Sequence, residues 1–162
     1  MKSTLDILKD AKAVKRVLFS LDTETKNQAL LKMADALEEN CDAILEANAK
    51  DMEKAKGTIS DVMLDRLALS EERIKGMADG IRQVAKLADP VGVVEDSYFA
   101  DRGFLVEKTR VPMGVVAIIY ESRPNVTADA GALCFKSGNV CVFSSKGVPN
   151  ESIDFLFLAV RF

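Results

Sequence analysis

With 162 residues, 48% of them apolar, the chain is long enough for one core and too apolar for global disorder. A net charge of −3, with basic residues scattered among acidic ones, excludes a generic polyanion binder, so no nucleic-acid partner is expected. The absence of histidine excludes Ser-His and Cys-His nucleophile pairs and most zinc sites, and no metal is expected.

The N-terminus alternates charge with apolar residues and lacks the continuous apolar run of a signal peptide. No stretch reaches the length of a bilayer span. A cytoplasmic protein without a membrane partner is expected. Cys41, Cys134 and Cys141 form no CxxC pair, which suits buried free thiols in a reducing compartment.

Residues 3 to about 88 read as successive helices. Ser3 caps the first, with Leu5, Leu8, Ala11, Val14 and Leu18 along one face. Asp22 or Thr23 opens the second, whose stripe is Leu30, Met33, Ala34 and Leu37. Asn40 breaks it, and a third runs through Ile44, Leu45, Ala49 and Met52 to Gly57. Ser60 starts a short fourth helix. Ser70 caps the fifth, with Glu71 and Glu72 in its first turn and a stripe of Ile74, Met77, Ile81, Val84 and Ala88; Pro90 stops it.

After Pro90 the pattern alternates, and Asp101-Arg102-Gly103 suits a turn between strands at roughly 91–96 and 103–110. This hairpin is either an edge of the main sheet or an arm that leaves the domain and makes an oligomer contact. Val115 to Tyr120 is a continuous apolar run, as in a strand buried on both faces. Small residues from Val126 to Lys136 then suit a helix lying close on a sheet, Ser137-Gly138-Asn139 ends it, and Val140 to Phe143 forms the next strand. Strand, helix and strand within about thirty residues make a βαβ crossover.

Ligands of parallel sheets gather beyond the carboxyl ends of the strands. The loop Glu121, Ser122, Arg123, Pro124, Asn125 occupies such a place, so Glu121, Ser122, Arg123 and Asn125 are the candidate substrate or cofactor contacts. Asn125 suits either a helix cap or a ligand contact. Arg123 suits either a pair with Glu121 or a phosphate or carboxylate of a ligand. Lys136 suits the dipole at a helix end. Neither GxGxxG nor GxxxxGK[ST] occurs.

The combination "YESRPNVT" and "ALCFKSGN", preceded by "LDRLALSEERIKGMADGIRQVAKLADPVG", resembles the N-terminal half of the γ-glutamyl phosphate reductases, members of the aldehyde dehydrogenase superfamily. The resemblance covers roughly residues 1–143. It implies an α/β fold: an N-terminal helical layer (3–88), a hairpin (91–110) and the first βαβ unit (115–143) of an incomplete cofactor-binding domain. It implies NADPH-dependent reduction of L-glutamyl 5-phosphate to L-glutamate 5-semialdehyde in proline synthesis. It also implies a small hairpin used for homo-oligomers. The family's chemistry runs through a cysteine thiolate, a strong nucleophile and a good thioester partner.

None of the three cysteines matches that nucleophile, which the resemblance places beyond the last residue here. Catalytic residues are therefore expected to be absent, and the chain alone inactive. The alternative is a catalytically dead fragment that binds nucleotide or partner subunits. The family's glycine-rich turn after the second strand is replaced by "SSKGVPNESIDFLFLAVRF". Ser144, Ser145 and Lys146 remain able to touch a cofactor. Residues 144–162 resemble no family helix, and a reading-frame shift after Phe143 is the expected origin of this apolar tail.

Overall fold

The computed structural model describes residues 3–121 and 123–145. Ser122 and residues 146–162 lie outside them, and so do the tail and frame-shift expectations. Five helices come first: α1 (Thr4–Ser20), α2 (Thr23–Glu39), α3 (Cys41–Ala55), α4 (Asp61–Leu67) and α5 (Glu71–Lys86). The side chains of Ser3, Asp22 and Ser70 each accept a hydrogen bond from a backbone N–H three residues on. Each cap satisfies a donor that the first helical turn leaves free.

The core lies where α2 and α5 pack together. Leu30, Met33, Leu37, Ile74, Met77 and Ile81 fill this seam and are essentially without solvent contact. Arg82 clamps its outer edge, donating to Asp35 at 2.8 Å and to Glu38 at 2.6 Å. Asn48 ties α3 to the α4–α5 connection: its amide donates to Leu67 O at 2.9 Å and accepts from Leu69 N at 2.8 Å. Both ends of a buried amide are thereby satisfied.

A hairpin follows, β1 (Val94–Phe99) antiparallel to β2 (Leu105–Thr109). It forms a sheet of its own, so the edge-of-sheet alternative does not hold. Every residue of both strands is exposed, including Val94, Tyr98, Phe99, Leu105 and Val106.

β3 (Val115–Tyr120), α6 (Pro124–Lys136) and β4 (Val140–Ser145) form the crossover, with β3 and β4 parallel in register from Val115↔Val140 to Tyr120↔Ser145. The strand runs two residues past Phe143, and the helix begins two residues before Val126. Ala128 and Ala132 are fully buried in the helical core. Small side chains let the helix axis come close.

The turn after α6 sets where β4 starts. Asn139 Oδ1 accepts from Gly114 N at 2.8 Å, and Val140 N donates to Gly114 O at 2.9 Å. Gly138 has φ +72°, and a Cβ there would stand 2.9 Å from Pro112 Cγ. We expect Gly138→Ala to cost about 1–2 kcal/mol for the left-handed backbone, plus the contact with Pro112. Gly57, at φ +81° with open space around it, isolates the backbone contribution. Urea midpoints should fall for both alanine variants and further for Gly138→Ala. Equal losses would show that Pro112 yields freely.

Two sequence expectations fail here: the α1 stripe is not buried, and β3, expected to be buried on both faces, leaves Ala117 and Ile119 exposed on one of them. Along α1 only Ala11 is buried, while Leu5, Leu8 and Val14 are exposed. α1 leans on β4 and leaves an apolar groove of about 1060 Å³ between itself, α2 and α6. A stripe shows an apolar face without showing what covers it. Lys136 stands in the last turn of α6, as the dipole reading has it, but it is 3% exposed and donates to Ala85 O at 3.0 Å and to Asn27 Oδ1.

Candidate functional site

The in-register parallel pair brings two carboxyl ends to one side of the molecule. Ile119 pairs with Ser144 and Tyr120 with Ser145, so the loop leaving β3 and the end of β4 lie side by side. Glu121, Arg123, Asn125 and Ser144 are all exposed there. Ser145 ends β4, and Ser122 and Lys146 lie outside the described residues.

The loop is held from below. Tyr120 is 8% exposed, and its hydroxyl shares a 2.6 Å hydrogen bond with Thr127 of α6. Its ring meets Phe143 edge-on, with centroids 6.0 Å apart. Burial pushes the Tyr120 phenol above its ordinary value, so it stays neutral and serves as a strut. Pro124 starts α6, where its missing N–H costs nothing. Arg123 is the N-cap residue, without a side-chain cap bond. Asn125 therefore does not cap the helix. It sits inside the first turn and hydrogen-bonds Asp129 one turn on. No ion pair joins Arg123 to Glu121 among the described residues, so neither charge is spent on holding the loop.

Asp129 and two arginines complete the surroundings. A cleft of about 480 Å³ lies between α4, α5 and the start of α6, bordered by Arg66, Arg73, Arg123, Asn125 and Asp129. Desolvation by the cleft walls pushes the Asp129 carboxyl above the usual range, partly opposed by the Asn125 hydrogen bond. Helical spacing from Asn125 points to Asp129. Nothing in the sequence points to Arg66 or Arg73, which another part of the chain brings in.

The cysteines lie apart from this cleft. Burial pushes the Cys41 thiol up, and Glu71 and Asp42 add to it. Cys134 and Cys141 are hydrogen-bonded to one another across the α6–β4 contact. That bond pushes Cys141 up and pulls Cys134 down to about 7, against the effect of burial. Cys134 is a free thiol and buried, as the sequence suggests. At 8% exposure it remains closed to a substrate. Among the described residues no group of three potential metal ligands occurs, and no helix is long and apolar enough to cross a membrane.

No protein-family model matches the chain. Curated relatives do. The γ-glutamyl phosphate reductase of Caldanaerobacter subterraneus subsp. tengcongensis is 52% identical over 135 residues, 83% of this chain and 33% of the relative. That of Carboxydothermus hydrogenoformans is 52% identical over 143 residues, 88% of this chain and 34% of the relative. Among solved structures, the γ-glutamyl phosphate reductase of Thermotoga maritima superposes with a TM-score of 0.92 at 39% identity, over 97% of this chain and 38% of that one. The Saccharomyces cerevisiae enzyme gives 0.89 at 36% identity, over 99% and 41%. The chain spans about a third of the length of the curated relatives it matches. In sequence and in fold it belongs to the γ-glutamyl phosphate reductases and corresponds to the N-terminal part of that enzyme.

Proposed function

We propose that residues 1–143 build the N-terminal part of the cofactor-binding domain of a cytoplasmic reductase that converts L-glutamyl 5-phosphate to L-glutamate 5-semialdehyde with NADPH, for proline synthesis. The observation that carries this is the crossover itself. A polar loop with unspent charges sits at the carboxyl end of β3, beside the hydroxyl-bearing end of β4.

The described residues fit one portion of the cofactor. Ser144 offers an exposed hydroxyl, suited to a ribose, and Ser145 and Lys146 follow it in the chain. No glycine-rich turn for a pyrophosphate accompanies them in the described residues. When bound, the cofactor supplies hydride. The chain's own share is to hold and orient: Arg123 and Asn125 face the substrate, and Tyr120, locked to Thr127, fixes the height of the loop. No cysteine here is assigned as nucleophile. The thiolate belongs to the part of the enzyme that this chain does not span.

The hairpin of residues 91–110 is assigned to a homo-oligomer contact. Tyr98, Phe99, Phe104 and Leu105 are more than half exposed on an arm separate from the main sheet. Such exposed apolar area marks an interaction surface.

A chimera tests the proposal. Residues 1–143 replace their counterpart in the Carboxydothermus hydrogenoformans enzyme, and phosphate-dependent reduction of NADP by glutamate semialdehyde is measured. We expect kcat/KM within about tenfold of the parent, a change of roughly 1.4 kcal/mol in the barrier. The 162-residue chain alone should show no NADPH oxidation with glutamyl phosphate. A folded but inactive chimera overturns the proposal.

A further inference from the structure

The cleft of about 480 Å³ between α4, α5 and the start of α6 carries charge of both signs. Arg73 is already engaged. Its guanidinium donates to the carbonyls of Asp65 and Ala68 at 2.5 and 2.7 Å and to Asp65 Oδ1 at 3.0 Å. Arg73 therefore builds a wall and neutralises Asp65. Arg66 and Arg123 make no ion pair among the described residues, and Asp129 has only the neutral amide of Asn125. Two unspent guanidinium groups thus share one concave space with one unspent carboxylate. Gly80 of α5 lies beside Asp129: a Cβ there would be in ordinary contact, 3.8 Å from Asp129 Oδ1.

A simple anion would be drawn to the arginines and repelled by Asp129. A simple cation would meet the reverse. A ligand that carries an ammonium and a carboxylate on one carbon satisfies both signs at once. We propose that this cleft holds the α-amino and α-carboxylate groups of an amino-acid substrate, with Asp129 taking the ammonium and Arg66 and Arg123 the carboxylate. This rests on the reductase assignment, and it names which residues select a glutamyl group over its deaminated analogue. The cleft opens beside the loop that leaves β3, so a substrate anchored there by its amino-acid end extends its side chain toward the carboxyl ends of the strands. A carboxylate facing an ammonium forms a charge-assisted hydrogen bond, stronger than one between neutral groups. An ammonium at Asp129 also favours the ionised carboxyl that the cleft walls disfavour.

The test uses the ¹⁵N-labelled 162-residue chain, titrated with L-glutamate γ-methyl ester, which is stable and keeps both α groups. The comparison ligand is glutaric acid monomethyl ester, which lacks the ammonium. We expect saturable amide shifts confined to residues 65–77 and 123–129, and about tenfold or more weaker binding of the deaminated ester, the size of one lost charged hydrogen bond. Asp129→Asn should bring the two affinities together. Arg66→Ala should weaken both esters alike, since both keep the carboxylate. An amide spectrum otherwise unchanged from the parent shows that each variant is folded. Equal affinities for the two esters, shifts elsewhere in the chain, or no saturable shift would each overturn the proposal. An active chimera together with equal affinities sinks this inference and leaves the reductase assignment standing. An inactive folded chimera together with the expected discrimination sinks the reductase assignment and leaves the cleft.

Discussion

Asp89→Ala should be among the most destabilising single substitutions in the chain, at roughly 3 kcal/mol or more. Lys26 Nζ lies 2.8 Å from Asp89 Oδ2, and the two side chains are 1% and 11% exposed. Thr23 donates to the same oxygen at 3.1 Å, and Val91 N donates to the other at 3.0 Å. This one carboxylate therefore ties the start of α2 to the segment leaving α5. The second buried ammonium, Lys136, brings α6 to the same place through Asn27 and Ala85 O. Removing one partner of a buried pair leaves the other charge uncompensated, at a cost of about 3–5 kcal/mol. The lower end applies here because Asp89 keeps some solvent contact. Against a typical domain stability of about 5–15 kcal/mol, the loss is a large fraction.

The pH dependence has a definite sign. Desolvation pushes the Asp89 carboxyl up, but the hydrogen bonds from Lys26, Val91 and Thr23 outweigh it, and its pKa lies below the ordinary value. A folded pKa below the unfolded one stabilises above the unfolded value, about 4, and that stabilisation is lost as pH falls through the folded pKa. Asp89→Asn should therefore flatten the acid limb of the stability curve. Lys136 is shifted down by desolvation, so here it is the charged form that folding disfavours: stability again rises with pH, now as the solution approaches the ordinary lysine range. Urea unfolding from pH 3 to 9 checks both limbs. The double variant Lys26→Met/Asp89→Leu should recover much of the Asp89→Ala loss, because an apolar pair leaves no charge unpaired. A loss below about 1 kcal/mol for Asp89→Ala would show that water reaches Lys26 without cost.

Ile81→Ala is the second large effect, expected at about 2–5 kcal/mol. Ile81 is 1% exposed on α5, in the cluster that joins Leu30, Met33 and Leu37 of α2 to Ala128 and Ala132 of α6. Three helices meet there, and the buried α6 residues of the cluster, Ala128 and Ala132, are too small to fill the space. The lost transfer free energy and the residual cavity therefore add. Ile119→Ala is the control. Ile119 has the same side chain but is 77% exposed on β3, so its truncation should stay within about 0.5 kcal/mol. Thermal and urea unfolding of both variants separate burial from chemistry. Comparable losses at the two positions would mean that the outer face of β3 is covered in solution.

The legible parts of the fold were local. Ser3, Asp22 and Ser70 announce helix starts because a short polar side chain satisfies free N–H groups within one turn. The α2 and α5 stripes mark their buried faces because the apolar spacing matches the helical period. The crossover could be read from an unbroken apolar run, a small-residue helix and a Ser-Gly-Asn stop. The α1 stripe misled for a related reason: its pattern is as good as that of α2, yet most of that face borders an open groove.

Half of the candidate site could be read and half could not. Glu121, Arg123 and Asn125 stand within five residues where β3 leads into α6, and the rule that ligands gather at strand carboxyl ends finds them without coordinates. Asp129 follows from them by one helical turn. Arg66 reaches the same cleft from α4, with more than fifty residues and three strands between, and no local pattern records that meeting. The same holds for Lys136. A lysine in the last turn of a helix suits the dipole in any sequence, and only the packing of α2, α5 and α6 around it makes it buried. The sequence by itself determined the caps, the periods and the family, because those depend on neighbours within a turn or on a linear motif. The tertiary structure alone decided which stripe is covered, which charge is buried and which arginines share a cleft, because burial and charge pairing depend on distances that chain order does not contain.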